Sequence, residues 1–129
     1  MREADEIAVL QFFEGKPIQL ALYEAFAAKV LDAFPKAAVW VQKSQITFSG
    51  RRNFAFASLP IRRKKGWPEH CIIVTFGLFY KLESQRIAMA VEPYPNRWTH
   101  HVVVSDESDL DAQLMGWVSE SHACSENKG

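Results

Sequence analysis

Residues 46–57 read ITFSGRRNFAFA, and this stretch decides the fold. On each side of its central GRRN segment, side chains alternate with a period of two, which is typical of half-buried β-strands. The connecting segment spans only four residues. It suits a hairpin and is too short for the crossover that parallel strands need. The stretch therefore predicts two neighbouring antiparallel strands.

The same period continues on both sides of this hairpin. Val39 and Val41 predict a strand before it, and residues 71–80 form the most hydrophobic run, which we expect to be the central strand. Residues 87–91 are its expected hairpin partner, and residues 99–104 form the last strand. We therefore expect five or six strands, arranged as an antiparallel meander.

Helical spacing replaces this pattern before and after the strands. Three apolar sets indicate helices: Ile7, Leu10 and Phe13; Ile18, Leu22, Phe26 and Val30; and Leu110, Leu114, Trp117 and Val118. Pro17 suits the first turn of the second helix. Ser108 and Asp111 are spaced like a capping box for the third. The predicted fold class is α+β, with the N-terminal helix or helices and the C-terminal helix packed on the antiparallel sheet.

Size and composition indicate one domain. The chain has 129 residues, of which 48% are hydrophobic, enough for a single core but not for two. We place the domain at residues 1–123 and expect a frayed tail at residues 124–129. The expected core pairs strand residues with helix residues: Phe48, Phe54 or Phe56, and Val74 or Phe76 should face Leu22, Phe26 and Leu114.

Charge and cysteine usage indicate which partners and which location to expect for the protein. The formal net charge is zero, so no overall field attracts nucleic acid or an acidic membrane. Cys71 and Cys124 form no recognisable disulfide framework and are expected to be reduced. The acidic start lacks the pattern of a secretory signal, and residues 71–80 are too short to cross a bilayer as a helix. We expect a cytoplasmic location and no membrane partner.

A basic cluster provides one functional alternative. Phosphate groups could bind its cations while a base stacks on its tryptophan: Arg51, Arg52, Arg62, Arg63, Lys64, Lys65 and Trp67. Basic loops are usually solvated, and two turns at opposite ends of a strand need not share a surface. Nucleic-acid binding is therefore an alternative and not the leading interpretation.

Catalytic and metal motifs are not recognisable in the sequence. The adjacent residues His100 and His101 would point to opposite faces of a strand, so they could not share one ion. Asp109 and Asp111 are explained by helix capping, and no G-x-S-x-G elbow occurs. We predict no metal, no cofactor and no catalytic residues, and an enzyme without a recognisable motif is the second alternative. Arg97, Trp98 and His100, at the entry to the last strand, could instead line a small-molecule groove.

Several short motifs together resemble a known family. The run from Lys43 to Phe48, followed by Arg51, Phe54-Ala55, His100 and Leu110-Asp111, is similar to the bacterial domain-of-unknown-function family 5655. The resemblance extends over residues 13–121. It implies a compact module without an assigned activity. It also implies that Lys43, Arg51 and His100 occupy matching polar positions, although His122 replaces a usual tyrosine.

The leading functional hypothesis is a non-catalytic binding or interaction module. An unknown small polar ligand, such as an anion, or a protein partner would bind it, and the sequence leaves the oligomeric state open. The candidate ligand-binding residues are Lys43, Arg51, Arg97, Trp98 and His100. We expect His100 to be more buried than His101, to lie within about 10 Å of Lys43 or Arg51, and to have a pKa lowered by their charge.

Overall fold

The computed structural model describes residues 3–60 and 66–127. Arg62, Arg63, Lys64 and Lys65 lie outside the described residues. The elements follow the order α1 (Glu3–Phe12), α2 (Pro17–Ala33), β1 (Ala38–Val41), β2 (Ile46–Ser49), β3 (Asn53–Ser58), β4 (Ile72–Leu78), β5 (Ile87–Tyr94), β6 (Arg97–Val104) and α3 (Ala112–Asn127). The predicted α+β class is confirmed.

The six strands form one antiparallel sheet in the order β1-β2-β3-β4-β6-β5. The first four follow the expected meander, but the expected pairing of β4 with β5 is wrong, because β6 lies between them. β6 buries His100, Val102 and Val104 on one face, which suits an inner strand. β5 contains Pro93, which has no N–H to donate to a second neighbour, and it therefore suits the edge.

The core lies between the sheet and the helices. Phe26 of α2 packs edge-on against Phe48 with ring centroids 5.4 Å apart, and Trp117 of α3 stacks on Phe76 at 5.8 Å. Register pairs Phe48 with Ala55 and Ala55 with Phe76, so all three share this face. The predicted core is confirmed, with Phe54 rather than Phe56 buried in it; the other buried members are Leu22, Phe26, Phe48, Val74, Phe76 and Leu114.

The predicted apolar face of α1 is wrong in part. Ile7 and Leu10 are 52% and 55% exposed, whereas Val9 and Phe13 are buried. Residues four apart share a helix face. Val9 and Phe13 are spaced in this way and face the core, whereas Ile7 and Leu10, which follow the three-residue spacing, do not. Ile18, at the start of α2, is also exposed. Exposed apolar side chains therefore remain on the outer side of the N-terminal helices.

Aspartates define the start of α3, although not by the predicted capping box. Asp106 and Asp109 cap a short 3-10 turn at Glu107–Asp109. Asp111 accepts a hydrogen bond from the Leu114 N–H at 3.0 Å, as an N-cap residue does. The capping interpretation of Asp109 and Asp111 is thus confirmed.

The last helix continues past the expected domain boundary. α3 extends to Asn127, and Ser125 is buried, so residues 124–127 are helical and not frayed. Residues 128–129 lie outside the described part of the chain. No helix in residues 3–60 or 66–127 is long and apolar enough to cross a membrane.

Candidate functional site

The structure does not bring Lys43, Arg51 and His100 together. Lys43 precedes β2 and Arg51 follows it, so they lie at opposite ends of that strand. Register places His100 three strands away from Phe48 of β2, or roughly 14 Å at a strand spacing of about 4.8 Å. This separation of the strands alone exceeds the distance of about 10 Å that was expected between His100 and either Lys43 or Arg51.

Arg51 holds a turn against the last helix. Its backbone N–H donates to Glu126 Oε2 at 2.7 Å, and its Nη1 donates to the Glu126 carbonyl oxygen at 3.4 Å. A cation at a helix C-terminus also interacts favourably with the helix dipole. The structure gives Arg51 a structural role in the β2–β3 connection, while Lys43 lies exposed in the β1–β2 turn.

His100 lies on β6, the strand between β4 and β5, and is fully buried, whereas His101 is half-buried. The prediction that His100 is the more buried of the two histidines is confirmed. His100 stacks on Phe76, and its Nε2 accepts a hydrogen bond from the Leu82 N–H at 2.9 Å. Nδ1 is buried and has no hydrogen-bond partner among the residues that the structure describes. Burial lowers the pKa of His100, and the Phe76 backbone opposes this effect. The predicted direction is correct, but burial is the main cause and not a neighbouring cation.

Arg97 and Trp98 do share a cleft. Its volume is about 180 Å³, and it lies where the start of β3, the end of β4 and the β5–β6 hairpin approach α3. The side chains that define its chemistry are Phe79, Tyr94, Arg97, Trp98, Ser121 and Cys124. The volume is below the range of about 300–1,000 Å³ that is usual for drug-sized ligands. The cleft suits a small molecule or a single side chain.

The hairpin turn orients one wall of this cleft. Tyr94 pairs with Arg97 across a two-residue connection, Pro95 and Asn96. Asn96 has a φ of 63°, which asparagine tolerates better than most residues. Its N–H donates to Glu92 Oε2 at 3.0 Å. This turn chemistry fixes the position from which Arg97 extends into the cleft.

Two cations lie over aromatic rings that line the cleft. The Arg97 guanidinium lies 5.2 Å from the centre of the Phe79 ring, and Lys81 Nζ lies 5.6 Å from the centre of the Trp98 ring. Among the described residues, neither cation forms an ion pair with a carboxylate. Both positive charges are therefore available to a ligand.

The other polar groups near the cleft are not activated for catalysis. Ser121 Oγ donates to the Phe54 carbonyl at 2.6 Å and accepts from the Gly77 N–H at 3.1 Å. Burial raises the pKa of the Cys124 thiol, which disfavours the nucleophilic thiolate. The hydrogen bond from Tyr80 to Glu120 raises the pKa of Tyr80 to about 12.

The basic cluster is divided in the structure. Arg51 and Arg52 lie where β3 begins, whereas Trp67 precedes β4, which runs antiparallel to β3 and starts at its other end. The described cations and Trp67 thus occupy opposite ends of one strand. Elsewhere in the described ranges, no three histidine, cysteine, aspartate or glutamate side chains are placed to hold a metal ion.

A comparison with protein families agrees with the resemblance of the motifs. The profile of a domain of unknown function, DUF5655, matches residues 9–125. The chain belongs to the DUF5655 family. No curated protein and no solved structure matches it. The cleft of this DUF5655 domain is formed within the matched region.

Four of the side chains that define the cleft were not predicted from the sequence: Phe79, Tyr94, Ser121 and Cys124. Phe79, Ser121 and Cys124 come from segments outside the Arg97 hairpin, and only the fold brings them to it. Lys81 was also missed; it does not line the cleft, but its Nζ lies over the Trp98 ring. Phe79-Tyr80-Lys81 directly follows the most hydrophobic strand. Exposed aromatic residues beside a cation at the end of a buried strand are the signal that could have identified this wall.

Proposed function

We propose that this DUF5655 domain is a non-catalytic binding module, and that a small anion or polar group binds in the cleft beside Arg97 and Trp98. The observation that carries the proposal is the guanidinium of Arg97, which lies in an aromatic cleft and pairs with no carboxylate of the described residues. A carboxylate or phosphate would form charge-assisted, two-pronged hydrogen bonds with it. A cytoplasmic location belongs to the same proposal.

The aromatic walls add a second requirement. Tyr94, Trp98 and Phe79 offer ring faces on which a flat or apolar ligand body can stack. The ligand that fits best therefore joins an anionic group to a small apolar body. It could be a free molecule or an acidic side chain of a protein partner, because both present the same group.

Mapping by NMR tests this proposal. A ¹⁵N-labelled domain is titrated with benzoate, phenyl phosphate, inorganic phosphate and neutral benzyl alcohol. We expect benzoate and phenyl phosphate to shift the Trp98 indole and the amides of Tyr94 and Arg97, and benzyl alcohol to act much more weakly. Equal shifts from benzyl alcohol and benzoate, or shifts elsewhere only, would contradict the proposal.

The same NMR titration distinguishes nucleic-acid binding from anion binding in the cleft. A short single-stranded DNA at low salt is used as the probe, because phosphate contacts weaken as salt rises. Salt-sensitive shifts at Arg51, Arg52 and Trp67 without shifts at Arg97 would favour nucleic-acid binding over the cleft. Turnover of phenyl phosphate during the titration would instead favour an enzyme.

A further inference from the structure

A groove between α1 and α2 lies apart from the cleft and has its own chemistry. Its volume is about 460 Å³. Val9, Tyr23 and Ala27 are buried and form its floor, while Leu10 and Ala28 are exposed on its sides. The small side chains of Ala27 and Ala28 leave room for another chain to approach α2 closely. The groove is therefore apolar along its base.

Each wall of the groove carries one carboxylate. Glu6 lies on α1 and Glu24 on α2, and both are exposed. Among the described residues, those that line the groove include no basic side chain. Neither glutamate forms a hydrogen bond or an ion pair with another described residue. The described residues thus present an apolar floor between two negative charges.

We propose that this groove docks a basic amphipathic helix of a partner protein. Such a helix places an apolar ridge on Val9, Leu10 and Ala27, with Lys or Arg on each flank facing Glu6 and Glu24. Two carboxylates repel phosphate groups, which disfavours nucleic acid and anionic lipid as occupants of the groove.

The proposal uses no residue of the cleft, so the two proposals can fail separately. A capped 15-residue peptide of Leu, Lys and Ala is the probe, with Leu at helical spacing and Lys on both flanks. The same peptide with Glu in place of Lys is the charge control. A third version with a central proline cannot form the continuous helix. Binding is measured by calorimetry and by ¹⁵N chemical shifts at low and high salt.

We expect only the helical Lys peptide to bind, with shifts at Leu10, Ala27 and Ala28 and weaker affinity at high salt. The double variant Glu6→Gln, Glu24→Gln should bind about five-fold more weakly, as expected for two exposed ion pairs. Ala28→Trp, which fills the groove from an exposed position, should abolish binding. Glu14→Gln, outside the groove, is the matched control and should leave the affinity unchanged.

Four results would overturn the proposal. They are equal binding of the Lys and Glu peptides, no effect of the double variant, shifts confined to the cleft or the sheet edge, and no binding at millimolar peptide. Self-association of the domain that Ala28→Trp abolishes would assign the groove to a second copy and would also overturn it.

Discussion

The buried Nε2 of His100 accepts a hydrogen bond from the backbone N–H of Leu82 at 2.9 Å. An imidazole that accepts at Nε2 must be neutral, because protonation would turn this nitrogen into a donor facing another donor. Leu82 belongs to the β4–β5 connection, which also carries Lys81, whose Nζ lies over the Trp98 ring. The protonation state of His100 is therefore coupled to the position of this connection.

This coupling predicts a pH-dependent stability. Burial lowers the pKa of His100 and of His101 in the folded state, so the unfolded chain binds protons more readily near its ordinary pKa of about 6.5. The free energy of unfolding should be highest above pH 6.5 and should fall as the pH drops from there toward the folded-state pKa values. Urea unfolding between pH 8 and pH 5 measures this slope.

Substitution of His100 tests whether this residue causes the pH dependence of the free energy of unfolding. In His100→Gln the amide oxygen can still accept from the Leu82 N–H, but nothing titrates, so the slope should become shallower. The control is His70→Gln at an exposed position, which should keep the parental slope. A slope in His100→Gln equal to that of the parent protein would show that His100 is not responsible.

We expect Gly50→Ala to lower the stability of the fold, because Gly50 lies close to α3. A Cβ at this position would lie 2.8 Å from Glu126 Oε2 and 3.3 Å from His122 Nε2. Gly50→Ala must therefore displace the carboxylate that accepts from the Arg51 N–H, at a cost of about 1 kcal/mol. In a Glu126→Ala background the same change should cost less, because only the contact with His122 remains, and a double-mutant cycle of urea unfolding measures the difference. Equal costs in both backgrounds would exclude this contact as the cause.

The core should depend strongly on Phe26. Its side chain is fully buried and packs on Phe48, so Phe26→Ala should lower the free energy of unfolding by about 3–5 kcal/mol. Ile18 lies on the same helix but is 46% exposed, and Ile18→Ala should cost about 0.5 kcal/mol or less. Similar losses for both variants in chemical denaturation would mean that the buried face of α2 is misassigned.

Much of the fold could be predicted because local patterns specify it. The period-two alternation of side chains predicted the hairpin at residues 46–57. The continuous apolar run at residues 71–80 predicted that β4 is an inner strand. The position of β6 between β4 and β5 could not be predicted, since periodicity identifies strands but not their neighbours. Likewise, Val9 and Phe13 compete with Ile7 and Leu10 for the core, and only tertiary packing decides between them.

The candidate site was predicted less completely than the fold. Arg97 and Trp98 were found because they adjoin each other in sequence at a strand entry. Lys43 and Arg51 were grouped by resemblance, although they lie eight positions apart in sequence, at opposite ends of β2. The cleft residues outside the β5–β6 hairpin come from β3, from the end of β4 and the residue after it, and from α3. No local pattern indicates that these segments meet the hairpin.

The central claim is that the Arg97 guanidinium binds an anion in the cleft. Calorimetric titration of benzoate into the parent domain, Arg97→Met and Arg52→Met tests it most directly. Methionine keeps the apolar stem but removes the charge, so Arg97→Met should weaken binding about ten-fold or more, as expected for a charge-assisted hydrogen bond. Arg52→Met, exposed and outside the cleft lining, should bind like the parent. Equal affinities of all three proteins for benzoate would contradict the account.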